Sequence, residues 1–502
     1  MSPNALDLTL RAGASLAGLL LLEVGWRLPP SSHRRAYMVA VLVLGVLSLP
    51  GVDRFGRRLI HPQEQFHYVL GTKYFPELGY SGIYDATARA TQEAGLPQPA
   101  NVRNLTTGVL EPAATAAQRA DTRRFSPERW QSFSRDLAAF QQITNGSYLS
   151  GLIDHGFNPT PAWIAFARLV LGDAPITVER LYFCASIDLV LFAVLLGLLL
   201  ATFGLESTAI ATLLLGTSVV WRFGWVGASF LRYDWFFALG VALVCLRRES
   251  FALAGGFLAW SAALRLFPAF FALAAGLSLL FRARDAAGRR ALLQFTASFL
   301  LVVAIAYAAG ASAGRGPQAW VEHSVRIGTH HSAWSQNHVG LDTVAIADAA
   351  FRHRITAPIA TRDAVESQVE SIEAARLGRR PFLRVFLVAS LFAVALAARR
   401  LPPWQAMPLG TIPVFCASAI PGYYWVSLAL VPLVAPRRTS VLLVLTTVLA
   451  ALVEASLDSM MAAHVAISMV FLVIFADWLV CQPAAELPAP RGSRATRRSQ
   501  RS

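Results

Sequence analysis

The sequence predicts an all-α polytopic membrane protein. Of its 502 residues 55% are hydrophobic and 15% charged, and the mean hydropathy of +0.49 lies beyond the range of ordinary soluble domains. Runs such as LVLFAVLLGLLLATF (189–203), FTASFLLVVAIAYAAG (295–310) and AISMVFLVIFADWLV (466–480) are long and nearly uncharged, as a helix spanning the hydrocarbon requires. The period-two alternation of an outer-membrane barrel is absent, which leaves helices as the spanning elements.

Taken in chain order, residues 1–36 form an N-terminal amphipathic or membrane segment. Its apolar stretch 5–27 carries Arg11 and Glu23 and reads either as a first span or as a helix lying in the interface, without a convincing A-x-A-like cleavage site after it. Residues 37–481 form the transmembrane domain. It opens with YMVAVLVLGVLSLPGV (37–52) and continues into a mostly polar extracytoplasmic loop, 53–176, expected to be a small, partly helical subdomain. Further spans are drawn at 181–203, 207–224, 231–246, 251–263, 266–281, 291–311, 381–398, 404–421, 424–436, 439–456 and 460–480, of which 251–263 and 424–436 are short enough for half-helices. A second extracytoplasmic loop, 312–380, holds VEHSVRIGTHHSAWSQNHVGLDTV and then TRDAVESQVESIEAARLGRR, which alternates in sign like a solvated helix. The tail 482–502 is basic and Ser-rich, expected to be disordered, cytoplasmic and in touch with anionic lipid.

A net charge of +14 would suggest nucleic acid for a soluble chain. Here the cations cluster at Arg34 and Arg35, Arg247 and Arg248, Arg282 to Arg290, Arg399 and Arg400, Arg437 and Arg438, and in the tail, where the positive-inside rule places them if the two long loops face outward. Membrane lipids are therefore the expected surroundings, and nucleic acid is no expected partner. Cys184, Cys245, Cys416 and Cys481 lack pairing or metal spacing and read as small apolar residues. No G-x-G-x-x-G or P-loop is present.

The polar residues that suit chemistry gather in the outer loops. HPQEQFHYVLGTKYFPELGYSGIYD (61–85) presents Glu64 shortly after a span, followed by Tyr68 and by a Tyr84-Asp85 turn. A carboxylate there can take a proton from an acceptor hydroxyl within hydrogen-bond reach, or be a helix cap in water. His67, beside Tyr68, is placed to bond an acceptor or the base, whereas Lys73 and Glu77 read as an exposed i, i+4 pair and Asp85 as a turn residue. In AGGFLAWSAALRLFPAFFALAAGLSLLFR (254–282), Arg265 within an apolar segment is expensive unless it faces water or an anion, snorkels, or pairs with Asp234. Arg222, Arg232 and Asp234 read either as contacts for a phosphate or as interface anchors. His331, Trp334 and Asn337 are candidates for hydrogen bonds to sugar or phosphate. The spacing of His330, His331 and His338 matches no zinc motif, so no metal is expected.

Glu64-x-x-x-Tyr68 with Gly71, then Gly82-x-Tyr84-Asp85, resembles the first outer loop of GT-C membrane glycosyltransferases, most closely polyprenyl-phosphate-mannose-dependent mannosyltransferases of the mycobacterial type. That family has an acidic residue, usually Asp, at the place of Glu64. Arg265 three residues before Pro268 is similar to its cation-Pro helix, where Lys is commoner. Its Asn-Gln-Ser-type motif is matched here only by Asn337. The resemblance implies a GT-C-like bundle of about eleven to thirteen transmembrane helices with two large extracytoplasmic loops. It also implies a bacterial inner-membrane enzyme without cofactor that moves a sugar, with inversion, from a polyprenyl-phosphate donor to an extracytoplasmic glycan or lipid acceptor. Glu64 would be the general base, Arg265 and Arg232 would hold the lipid phosphate, and His67, Tyr68, Tyr84, His331, Trp334 and Asn337 would bind substrate. The rival from another class is a transporter or flippase of lipid-linked sugars, which predicts functional charges near the midplane and repeated halves. A third reading is an inactive scaffold of the same fold.

Overall fold

The computed structural model describes residues 3–51, 59–332, 336–352, 362–417 and 419–481. The chain is helical almost throughout, apart from two short two-stranded ladders. It opens with α1 (Pro3–Arg27) and α2 (Ser32–Ser48), the second started by Ser31, whose hydroxyl accepts the Arg34 N–H. Residues 59–176 then fold into a subdomain holding α3 (Pro62–Gln65), a wide π turn at Phe66–Leu70, α4 (Ile83–Glu93), α5 (Pro127–Thr144) and α6 (Pro161–Leu171). A small antiparallel ladder, β1 (Asn101–Arg103) with β2 (Leu110–Pro112), covers one side. Its core is aromatic: Phe66 stacks on Tyr148 with centroids 4.9 Å apart, and Tyr74, Phe133 and Phe140 are fully buried.

Lys73 and Glu77 depart from the exposed pair expected of them. The helix breaks at Tyr74 (φ −109°, ψ 19°), and Pro76 starts a new turn at Phe75–Leu78, so the two side chains no longer share a face. Lys73 is instead buried and reaches Asp136 of α5 at 2.5 Å, while Glu77 pairs with Arg129 at 2.6 Å.

The bundle begins with α7 (Val178–Thr217), two helical arms joined at Gly204, whose φ of 78° suits glycine. The second arm meets α2 backbone to backbone: a Cβ on Gly216 would lie 1.8 Å from the Gly45 carbonyl oxygen, and one on Gly45 2.5 Å from that of Thr212. Helix was expected as far as residue 224 but stops at Thr217. Ser218 to Tyr233 form a buried, mostly irregular segment in which Ala228 (φ 55°) and Leu231 (φ 51°) are left-handed. Irregular backbone of this kind is tolerated only where protein or a wet cavity satisfies its polar groups.

Then come α8 (Asp234–Arg247), α9 (Phe251–Leu264), α10 (Ala269–Arg282) and α11 (Ala286–Ala311). The second polar stretch contains α12 (Gln318–Ser332). The helix expected to be solvated is continuous with the following span as α13 (Arg362–Ala398), with Pro381 inside it. A spanning helix was expected over 404–421 and a short span or half-helix over 424–436. The chain instead makes short turns at Pro403–Ala406, Met407–Gly410 and Thr411–Ala417, then a 3-10 run at Gly422–Leu433. Pro408, Pro413, Pro421 and Pro432 withhold the N–H groups that a continuous helix needs. Between these turns β4 (Ile420–Pro421) pairs with β3 (His338–Val339) from the second polar stretch. The chain closes with α14 (Arg437–Leu457) and α15 (Met460–Val480).

By length and composition, six described helices are apolar enough to cross a membrane: Asn4–Arg27, Val178–Thr217, Ala286–Ala311, Glu370–Ala398, Arg437–Leu457 and Met460–Val480. The architecture is that of an all-α polytopic membrane protein. The opening segment, left between span and interfacial helix by its sequence, is among the six. The expected basic tail lies outside the described residues.

Candidate functional site

Glu64 sits in the first turn of α3, where Pro62 occupies the helix start and the His61 ring accepts the Glu64 N–H. Its carboxylate Oε2 lies 3.0 Å from Nε of Arg232, at the end of the irregular segment before α8. The neighbouring Gln65 is fully buried, and its amide nitrogen donates to the carbonyls of Leu181 and Ser229, both at 2.9 Å. α3 is thereby fastened to α7 and to the segment that carries Arg232. The π turn that follows widens the helix just past the carboxylate, an irregularity frequent at functional sites.

Aromatic faces surround the two cations. The Arg232 guanidinium carbon stands 4.1 Å from the Tyr68 ring centroid and 5.6 Å from that of Tyr423. Arg265, in the break between α9 and α10, stands 5.8 Å from the Tyr424 centroid. Tyr68 packs edge-on against Trp163, and its hydroxyl donates to Asn158 at 3.3 Å. Tyr423 and Tyr424 come from the 3-10 run after β4, and the Gly422 N–H donates to the Asn337 carbonyl at 2.7 Å. Asn337 thus meets the site through its backbone.

Hydrogen-bonding capacity is left over here. Among the described residues, Nη1 of Arg232, Nε and Nη2 of Arg265 and Oδ2 of Asp234 are buried without a hydrogen-bond partner. Arg265 spends Nη1 on the Leu264 carbonyl, and Asp234 caps the Trp235 N–H. Buried polar groups are nearly always satisfied, so a cluster of spare donors on two arginines suits an anionic guest. Burial pushes the Glu64 carboxyl up to about 7, while Arg232 and Arg265 pull it down and Asp154 and Asp188 push it further up. At neutral pH it is therefore poised between its acidic and basic forms.

Of the residues singled out in the sequence, Glu64, Tyr68, Arg232 and Arg265 meet here. Arg232 pairs with Glu64 and not with Asp234. His67 and Tyr84 face the subdomain core: the His67 Nε2 lies 2.7 Å from the Tyr84 hydroxyl, which donates to the Gly151 carbonyl at 2.8 Å. Burial holds the His67 imidazole down to about 4, so it is neutral there. Arg222 is tied elsewhere, to Glu454 at 2.6 Å and Asn4 at 2.8 Å. Asp85 is bound by Arg119. Trp334 and the side chain of His331 lie outside the described residues.

Sequence reading passed over Gln65, Asn158, Asp188, Tyr423 and Tyr424. Asp188 carried a usable signal, a lone carboxylate in the apolar run LYFCASIDLVLF (181–192). Tyr423 and Tyr424 carried another, in the Pro-Gly break PGYYW (421–425) within an apolar stretch. No known protein family, curated protein or solved structure matches the chain, and what the site does must be argued from its own geometry.

Proposed function

We propose that the chain is a membrane glycosyltransferase which takes a sugar from a polyprenyl-phosphate donor and passes it, with inversion, to a glycan or glycolipid acceptor outside the cytoplasm. The observation that carries this reading is the placement of Glu64, with its carboxyl near 7, beside Arg232 and Arg265, whose spare donors are buried among tyrosines. In this reaction the acceptor hydroxyl oxygen attacks the anomeric carbon, its proton passes to Glu64, and the bond from that carbon to the donor phosphate oxygen breaks. The departing lipid phosphate keeps the electron pair, and the arginine donors stabilise its charge as it forms. The tyrosine faces offer stacking surface for a sugar ring.

A lipid-linked donor also needs room for its tail. A groove of about 470 Å³ runs between α6, α9 and α11; Phe166, Leu169, Trp260 and Ile305 give it apolar walls, and Lys73, Arg168 and Asp173 also line it. α6 separates it from the Glu64 cluster, which Trp163 of the same helix touches. The remaining crossings of the GT-C-like bundle would come from α2, α8 and the shorter apolar helices Phe251–Leu264, Ala269–Arg282 and Gly422–Leu433.

The test is sugar transfer from radiolabelled polyprenyl-phosphate donors by purified protein in lipid. Glu64→Gln, which cannot take a proton, is expected to lower the rate by about 10²-fold or more. Full transfer by this variant would remove Glu64 from the role of base. Movement of the labelled lipid across the bilayer without transfer would favour a transporter.

A further inference from the structure

Asp188 is a buried carboxylate that the proposed reaction leaves unused. It lies three turns into α7 between Ile187 and Leu189, is fully buried, and among the described residues has no cation within ion-pair distance. Leaving a carboxylate in such a place is expensive unless hydrogen bonds repay it. Two do so for one oxygen: Oδ1 accepts the backbone N–H of Arg232 at 3.0 Å and that of Tyr233 at 3.1 Å, while Oδ2 is buried without a hydrogen-bond partner among the described residues. The peptide it grips begins the residue after Leu231, whose φ of 51° is an unfavourable backbone for a branched side chain. On the other side the Leu231 carbonyl accepts the Trp163 indole N–H at 3.0 Å.

We propose that Asp188 is the positioning residue that sets Arg232 against Glu64, by holding the N–H groups of a left-handed turn that would otherwise relax. Among the described residues no other acceptor takes these two N–H groups. If the turn relaxes, the guanidinium leaves both the Glu64 carboxylate and the Tyr68 face. This role depends on Glu64 and Arg232 being a working pair, as proposed above, yet it has a readout that needs no sugar transfer.

That readout is the ionisation of Glu64, followed by the infrared carboxyl band of purified protein in lipid with Glu64→Gln as the subtraction reference. The charged groups facing Glu64 are Arg232 and Arg265, which lower its pKa, and Asp154 and Asp188, which raise it. Removing the Asp188 charge therefore acts directly by moving the Glu64 titration down. Losing the grip on Arg232 moves it up, and an opposite charge at this distance is worth about one to three pKa units. The sign separates the two effects. Asp188→Ala is expected to raise the titration by about one unit or more, towards that of Arg232→Gln. Asp188→Asn keeps an oxygen for both N–H groups and is expected to titrate at or just below the parent. Once Arg232→Gln is present, Asp188→Ala should raise it no further.

A folded Asp188→Ala protein that titrates at or below the parent overturns the proposal, as does an equal rise in the presence of Arg232→Gln. Should Asp188→Ala alone not fold, the same measurement is made on Asp188→Leu, which fills the buried space and accepts neither N–H group. If that variant does not fold either, Asp188 serves the whole fold and the proposal falls. A shifted titration in a protein without transfer activity would retain the positioning role and discard the transferase.

Discussion

At the residue scale, the Glu64 carboxyl makes the sharpest statement about pH. A base must be ionised to take a proton, and with its titration near 7 the transfer rate should fall as the pH drops through that value. A pH profile of kcat/KM checks this, and an acid limb unmoved by Arg232→Gln would separate the limb from Glu64. Lys73 shows the opposite kind of charge, one serving only the fold. It is buried on Asp136, which also accepts from the Tyr74 hydroxyl at 2.7 Å. Lys73→Met leaves that carboxylate short of its cation and should cost about 3–5 kcal/mol in thermal or denaturant unfolding. Glu64 was singled out by its place soon after a span and by the resemblance carried by its spacing with Tyr68, whereas Arg232 and Arg265 stood out because a charge among apolar residues is expensive and needs a reason. Lys73 was misjudged because an i, i+4 spacing means something only on an unbroken helix, and Pro76 breaks this one.

At the scale of elements, close backbone packing decides which glycines matter. Gly216 and Gly197 both lie in α7, but a Cβ at Gly216 would strike the Gly45 carbonyl, whereas at Gly197 nothing lies within 4 Å. Gly216→Ala should therefore lose about 1–3 kcal/mol as α2 is pushed away, and Gly197→Ala should be neutral or slightly stabilising. Melting of the two purified variants side by side provides the measurement. Long apolar runs such as 291–311 were easy to read, since a single helix of that length satisfies its own backbone. The stretch 404–436 misled for a matching reason. Its composition is apolar enough for spans, but repeated prolines turn it into short pieces that bring Tyr423 and Tyr424 to Arg232 and Arg265. Hydropathy records how greasy a segment is and is blind to where its ladder of bonds is cut.

At the scale of the whole molecule, the reading requires both long polar stretches to face one side and the arginine clusters the other. Cys481 is exposed while Cys184, Cys245 and Cys416 are buried, so replacing Cys481 gives a quiet background for labelling. A cysteine placed at Gln92 in the first polar stretch should react with a membrane-impermeant maleimide from outside intact cells, and one placed at Arg284 only after the membrane is opened. The reverse pattern would invert the topology and take the proposed extracytoplasmic reaction with it. The general plan of apolar helices interrupted by long polar stretches was legible because it follows from composition. The convergence of α3, the segment before α8, the α9–α10 break and the PGYYW turn was not, because those pieces are far apart in sequence and their contacts leave no periodic trace.

The packing of Gly216 on Gly45 also implies an order of events during synthesis. About 170 residues separate the two, so at about 5–20 residues per second the α1–α2 hairpin exists for roughly ten to thirty seconds before its partner is made. In the finished protein Arg11 donates to the Gly216 carbonyl at 2.7 Å and contacts that of Ser218, neither of which has yet been translated when α1 emerges. Asp7, one turn earlier on the same helix, already lies 2.8 Å from the Arg11 guanidinium. The hairpin thus carries its own counter-ion and can wait, electrically neutral at this point, for the rest of the chain to arrive.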